Sequence, residues 1–202
     1  MSLAFTGLAI MIIGLAVFLG SHTLVALRPQ RAAVIARIGE GPYKGLFSLV
    51  SLVGIVLIGY GFALYRDGGA GYINIWMPPR WTRHVTELLV WPAIIAIIAA
   101  YIPGQIKRVL KHPMLVGVKL WAVAHLLSNG DLGSIILFAS ILAWAVYDRI
   151  SLKRRTDAPA PAVATGSGYR NDFIAVVVGT LIYFVLGFWF HPWVIGVPVF
   201  GS

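Results

Sequence analysis

Apolar runs of about 20 residues recur along the chain between short polar stretches. Each is long enough to cross about 30 Å of hydrocarbon as a helix. The pattern predicts six spans, at about 3–27, 46–65, 85–102, 113–128, 132–150 and 173–191. The fold class that follows is all-α, a polytopic membrane helix bundle of about six transmembrane helices forming a single transmembrane domain over 1–202. The first run has no basic n-region, and no small-residue cleavage site precedes its charges, so it is expected to stay as a span. "TDAPAPAVATGSGYR" (156–170) is Pro- and Ala-rich, which predicts a flexible linker before the last span.

Composition agrees with the pattern. Hydrophobic residues make up 59% of the 202 and charged residues 11%, where a soluble domain carries about 25% charged. Mean hydropathy is +0.85. The absence of cysteine excludes disulfides, thiolate ligation and cysteine nucleophiles. The net charge of +9 does not point to nucleic acid, because the cations cluster in loops between apolar runs.

Those loops set an orientation. Arg28, Arg31, Arg37 and Lys44 fall in 28–45, and Lys107, Arg108 and Lys111 in 103–112. Arg149, Lys153, Arg154, Arg155 and Arg170 fall in 149–172. These alternate loops hold twelve of the sixteen Lys and Arg. The positive-inside rule then predicts that both termini are non-cytoplasmic and that the 156–170 linker is cytoplasmic. "DGGAGYINIWMPPRWTRH" (67–84), with its glycines, prolines and aromatics, is expected to lie along the outer interface.

Ionisable groups at membrane depth are costly, so each one raises a functional question. Glu87, Asp131, Asp148 and His191 fall near span ends, where a polar tip reaches headgroups or water. Lys119 lies mid-span and is expected to face the bundle interior. His22 and His125 are also within spans. On helical geometry, His112 and Lys119 share a stripe, whereas His125 lies about 220° around and roughly 20 Å along from His112. His112 and His125 therefore cannot serve one small site on a regular helix. No carboxylate is near both His22 and His112 in depth, so a zinc site is not expected. No triad, G-x-S-x-G or Walker-type loop is present.

"GSHTLVALRP", "GEGPYKGLFSLVSLVG", "KHPMLVGVKLWAVAHLLSNGD" and "LAWAVYDRISLKRR" together resemble the NnrU family of bacterial membrane proteins, named for association with nitric oxide and denitrification. The resemblance runs from the first span through the fifth. It extends to the plant and cyanobacterial 15-cis-zeta-carotene isomerase, a haem b protein of similar membrane layout. Carried over by motif, it implies haem b with His22 and His125 as axial ligands. The isomerase has a cysteine three residues before the second histidine, where this chain has Ala122. Arg28, Lys107, Arg108 and Lys111 lie where they can pair with haem propionates at the cytoplasmic face. His112 is the substitute for His125, because with the spans as drawn His22 and His125 differ in depth by roughly 10–15 Å.

The function implied is an integral haem b-binding protein of the bacterial inner (cytoplasmic) membrane. It would carry an isomerase-like role or a redox role linked to nitric oxide and denitrification, acting on a lipophilic or gaseous ligand within the lipid bilayer. Two alternatives come from other classes. "KHPMLVG" (111–117) is similar to the R-H-P-x-Y-x-G segment of SAM-dependent membrane methyltransferases, but Lys111 and Leu115 replace its arginine and tyrosine, and no paired-glutamate motif follows. A non-catalytic membrane partner of denitrification enzymes would use small-residue positions such as Gly54, Gly59, Gly61 and Gly117 for helix contacts.

Overall fold

The computed structural model describes residues 2–154 and 168–200. Its elements are helical: α1 (Leu3–Ala26), α2 (Arg28–Ile38), α3 (Glu40–Arg66), a 3₁₀ turn (Gly69–Gly71), α4 (Trp81–Tyr101), α5 (Gln105–Leu110), α6 (Pro113–Ser128), α7 (Leu132–Lys153) and α8 (Gly168–Val185), which runs on as a π-helix (Leu186–Ile195). Among the described residues there is no strand, only an isolated antiparallel bridge between Asn74 and Asp131. Five helices have the length and apolarity to cross a membrane, and α6 is a shorter apolar helix. The chain is a multi-pass membrane protein. Its long apolar helices leave stripes uncovered by protein, such as Leu49, Leu52 and Val56 on α3, each 58% exposed, as lipid-facing positions require.

Two boundaries differ from expectation. The basic stretch 28–45 is helical on both sides of Gly39 rather than a loop. Pro29 sits in the first turn of α2, where a missing N–H costs nothing. Gly39, at φ 86°, turns the chain into α3, a conformation that side chains resist. The last span also continues beyond 191 to Ile195 in π winding. The linker expected at 156–170 lies, up to residue 167, outside the described residues, and Gly168–Arg170 open α8.

The chain divides into two compact units: residues 1–77 with 130–154, and residues 78–129 with 155–202. In the first, α1 packs against α3 through glycines seven residues apart on each helix. Gly7 faces Gly61, and Gly14 faces Gly54. A Cβ at Gly14 would sit 2.7 Å from the Ile58 nitrogen, and one at Gly54 would sit 2.8 Å from the Phe18 Cβ. The backbones therefore touch, the close approach that small residues permit where lipid gives no hydrophobic drive. Gly59 meets nothing within 4 Å and takes no part.

Segment 67–77 turns back on the start of α7 in the same unit. Ile75 N donates to Gly130 O at 2.8 Å, and Leu132 N donates to Ile73 O at 2.9 Å. Asp131 does not reach for water from a span end. It is 5% exposed, caps α7 by accepting from Ser134 N at 2.9 Å, and takes the Tyr72 hydroxyl.

In the second unit, α4 packs on α6 and α8. Gly117 seats α6 on the Ala93 carbonyl, and a Cβ at Gly179 of α8 would sit 2.9 Å from the Ile95 Cα. Asp172 of α8 caps α5, accepting from Gln105 N at 3.1 Å and Ile106 N at 3.0 Å.

Candidate functional site

His22 lies one turn before the end of α1, in the first unit. Its Nδ1 is 2.8 Å from the Phe18 carbonyl oxygen. A carbonyl only accepts, so Nδ1 carries the proton and the lone pair rests on Nε2. Aromatic rings surround the imidazole: Phe18 at 4.1 Å, Phe47 at 5.1 Å and Trp144 edge-on at 5.5 Å between centroids. Ser21 lies 3.4 Å from Ser51 of α3, which adds a polar contact beside the ring.

Two polar atoms near this cluster are buried without a partner: the Trp144 Nε1 and the Tyr43 hydroxyl. Tyr43 stacks on Phe47 at 6.5 Å, so Tyr43, Phe47, His22 and Trp144 form a continuous row. Arg28 opens α2 on the exposed side of this unit.

His125 lies three residues before the end of α6, in the second unit, and repeats the arrangement. Its Nδ1 is 2.9 Å from the Trp121 carbonyl oxygen, again one turn back, and the Trp121 ring is 4.9 Å away. Thr86 of α4 ties down the same turn by donating to Ala124 O at 2.8 Å. Ala122, one turn before His125, is fully buried. From the sequence His191 is a polar tip near a span end, yet the π-helix brings its ring to 6.2 Å from His125. Its Nδ1 is buried without a partner.

The other expected site residues are dispersed. His112 is the N-cap residue of α6 and makes no side-chain cap. Because α6 is regular, its distance from His125 stands at roughly 20 Å. Lys119 is half-buried on α6. Lys107 donates to Ala100 O at 2.8 Å, and Arg108 and Lys111 are exposed. Lys107, Arg108, Lys111, His112, Lys119 and His125 all belong to the second unit, whereas His22 and Arg28 belong to the first.

Lys111 has the unusual backbone φ 60°, ψ −46°. His112 N donates to Leu110 O at 2.6 Å around it, which makes a γ-turn of positive φ, a rare and strained form. That strain sits in the "KHP" corner opening α6.

The NnrU protein family model matches residues 10–199, nearly the whole chain. The chain belongs to the NnrU family. No curated protein and no solved structure matches it. Among the described residues of this NnrU-family chain, no three His, Cys, Asp or Glu side chains gather as a metal site.

The second unit also holds a groove of about 390 Å³ lined by His84, Glu87, Leu88, Trp91, Thr180, Tyr183 and Phe184. Glu87, read from the sequence as a span-end carboxylate, sits 3.8 Å from Arg83 and 3.7 Å from His84. Trp91 Nε1 donates to Thr180 Oγ1 at 2.9 Å along the same wall. Nothing in the sequence periodicity singles out Thr180 or Tyr183, because they face α4 only through the packing of α8.

Proposed function

We propose that this NnrU-family protein is a haem b-binding protein of the bacterial inner membrane, with His22 and His125 each a candidate iron ligand. The observation that carries the reading is the shared setting of the two histidines. Each has Nδ1 held by the carbonyl four residues back, and each rests against aromatic rings. A backbone carbonyl on Nδ1 is the outer-shell contact that orients a ligating imidazole and raises its basicity. The Trp144 Nε1 and Tyr43 hydroxyl, buried without partners in the aromatic row of His22, fit a bound group that offers them polar contacts.

When bound, the haem would supply one-electron or gas-binding chemistry. The chain's own residues would hold each imidazole in one tautomer and exclude water, with Phe18, Phe47 and Trp144 around His22 and Trp121 beside His125, in a low-dielectric surround that tunes the potential. Ala122 leaves no thiolate beside His125, so a redox role linked to nitric oxide and denitrification ranks ahead of isomerase-like chemistry.

The test is the absorption spectrum of detergent-purified protein made with ample haem precursor, oxidised and then dithionite-reduced. Sharp low-spin b-type bands are expected, lost in His22→Ala and changed in His125→Ala, with His112→Ala unaffected. A protein that stays colourless after haem titration contradicts the reading.

A further inference from the structure

Arg31 looks from the sequence like one of the cations that fix membrane orientation. In the first unit it is something more specific. Helix α2 lies against α3, and the Arg31 guanidinium carbon sits 5.5 Å over the Tyr43 ring. Arg31 Nε and the Tyr43 hydroxyl are both buried with no hydrogen-bond partner, and Tyr43 itself is only 6% exposed. The nearby carboxylate of Glu40 is held by Lys44 at 2.9 Å and acts on Arg31 only through space.

A buried donor left unmade is expensive, more so on a charged group. Two such donors side by side, one on a cation, call for an acceptor with negative charge and more than one lone pair. A carboxylate or phosphate oxygen meets that demand. Behind Tyr43, the row Phe47, His22, Trp144 is apolar and aromatic, and it leads away from α2 into the apolar run of α1. The ligand that suits both parts is an amphiphile with an oxyanion head and an apolar body.

We infer that Arg31 and Tyr43 form a recess for the oxyanion of such an amphiphile, whose body lies along Phe47 and His22. Two sources share this chemistry: a porphyrin carboxylate and the phosphate of an anionic lipid. In its porphyrin form the inference rests on the proposed function, and it assigns the carboxylate contact to Arg31 and Tyr43.

The experiment has two arms on the full chain in detergent. In the first, haemin and haemin dimethyl ester, which lacks free carboxylates, are titrated by absorption. Wild type should bind haemin about tenfold or more tighter than the ester, the difference that one charge-assisted contact supplies. Arg31→Gln and Tyr43→Phe should each shrink the gap, and Arg31→Lys should keep part of it. In the second arm, the ligand-free melting temperature is measured in micelles doped with phosphatidylglycerol or with phosphatidylcholine. If the lipid is the source, only phosphatidylglycerol raises it, and Arg31→Gln abolishes the rise. Circular dichroism of each variant shows whether it has folded, and Tyr43→Phe carries the test if Arg31→Gln does not fold. Absence of haemin binding together with a phosphatidylglycerol effect sinks the proposed function and keeps the recess. Equal affinity for haemin and ester, with no lipid discrimination, overturns the recess.

Discussion

The Phe18 and Trp121 carbonyls matter because an oxygen with no proton decides where the imidazole proton sits. That tautomer, rather than the presence of a histidine, makes His22 and His125 candidate ligands, and it is invisible in a list of residues. Motif resemblance singles out both positions in the sequence, whereas their place within spans alone does not. His191 was out of reach, because its approach to His125 depends on π winding that a 3.6-residue period does not encode. Two predictions belong at this scale. Lys111→Gly should relieve the strained γ-turn and raise stability by about 1 kcal/mol or less in chemical unfolding. Tyr72, outside the spans, has its hydroxyl pushed up to about 12 by burial, reinforced by the Asp131 carboxylate. The protonated phenol is therefore the native form. Its stabilisation is full below pH 10 and is lost as pH rises from about 10 to 12, so Tyr72→Phe should flatten the alkaline limb of a stability–pH curve. An unchanged limb would show that the Tyr72–Asp131 contact contributes nothing.

Between α1 and α3, four glycines set the spacing. The apolar runs announce both helices, but from the sequence Gly59 stands with Gly54 and Gly61, because composition does not show which side faces a neighbour. Gly61→Ala would put a methyl group onto the Met11 backbone and should cost about 1–3 kcal/mol. Gly59→Ala meets open space and should be neutral or slightly stabilising, since alanine is the better helix former. Thermal unfolding of both variants in one detergent checks the contrast, and equal effects would refute this packing. The α5 cap shows the other limit of sequence reading. Asp172 stands far along the chain from the amides it accepts, so no local capping pattern exists to find. Asp172→Ala should fray α5 at a cost of about 1 kcal/mol, seen as faster amide exchange at Gln105 and Ile106.

Over the whole chain, hydropathy alone was enough to give an all-helical, multi-pass membrane protein, because the bilayer leaves few other solutions. It could not reveal that 28–45 folds as α2 and the start of α3, since a basic stretch between spans reads as loop. That helical packing is what puts Arg31 over Tyr43. Charge placement predicts that both termini are non-cytoplasmic. In this chain without cysteine, Met77→Cys should then react with an impermeant maleimide in intact cells, and Ala36→Cys only after permeabilisation; the reverse pattern would invert the topology. The central claim is that the His22 Nε2 binds iron, and chemical rescue tests it most directly. Haem-loaded His22→Gly should lose the low-spin spectrum and regain it when free imidazole is added. If His22→Gly keeps the wild-type spectrum without imidazole, His22 is not a ligand and the account of this site fails.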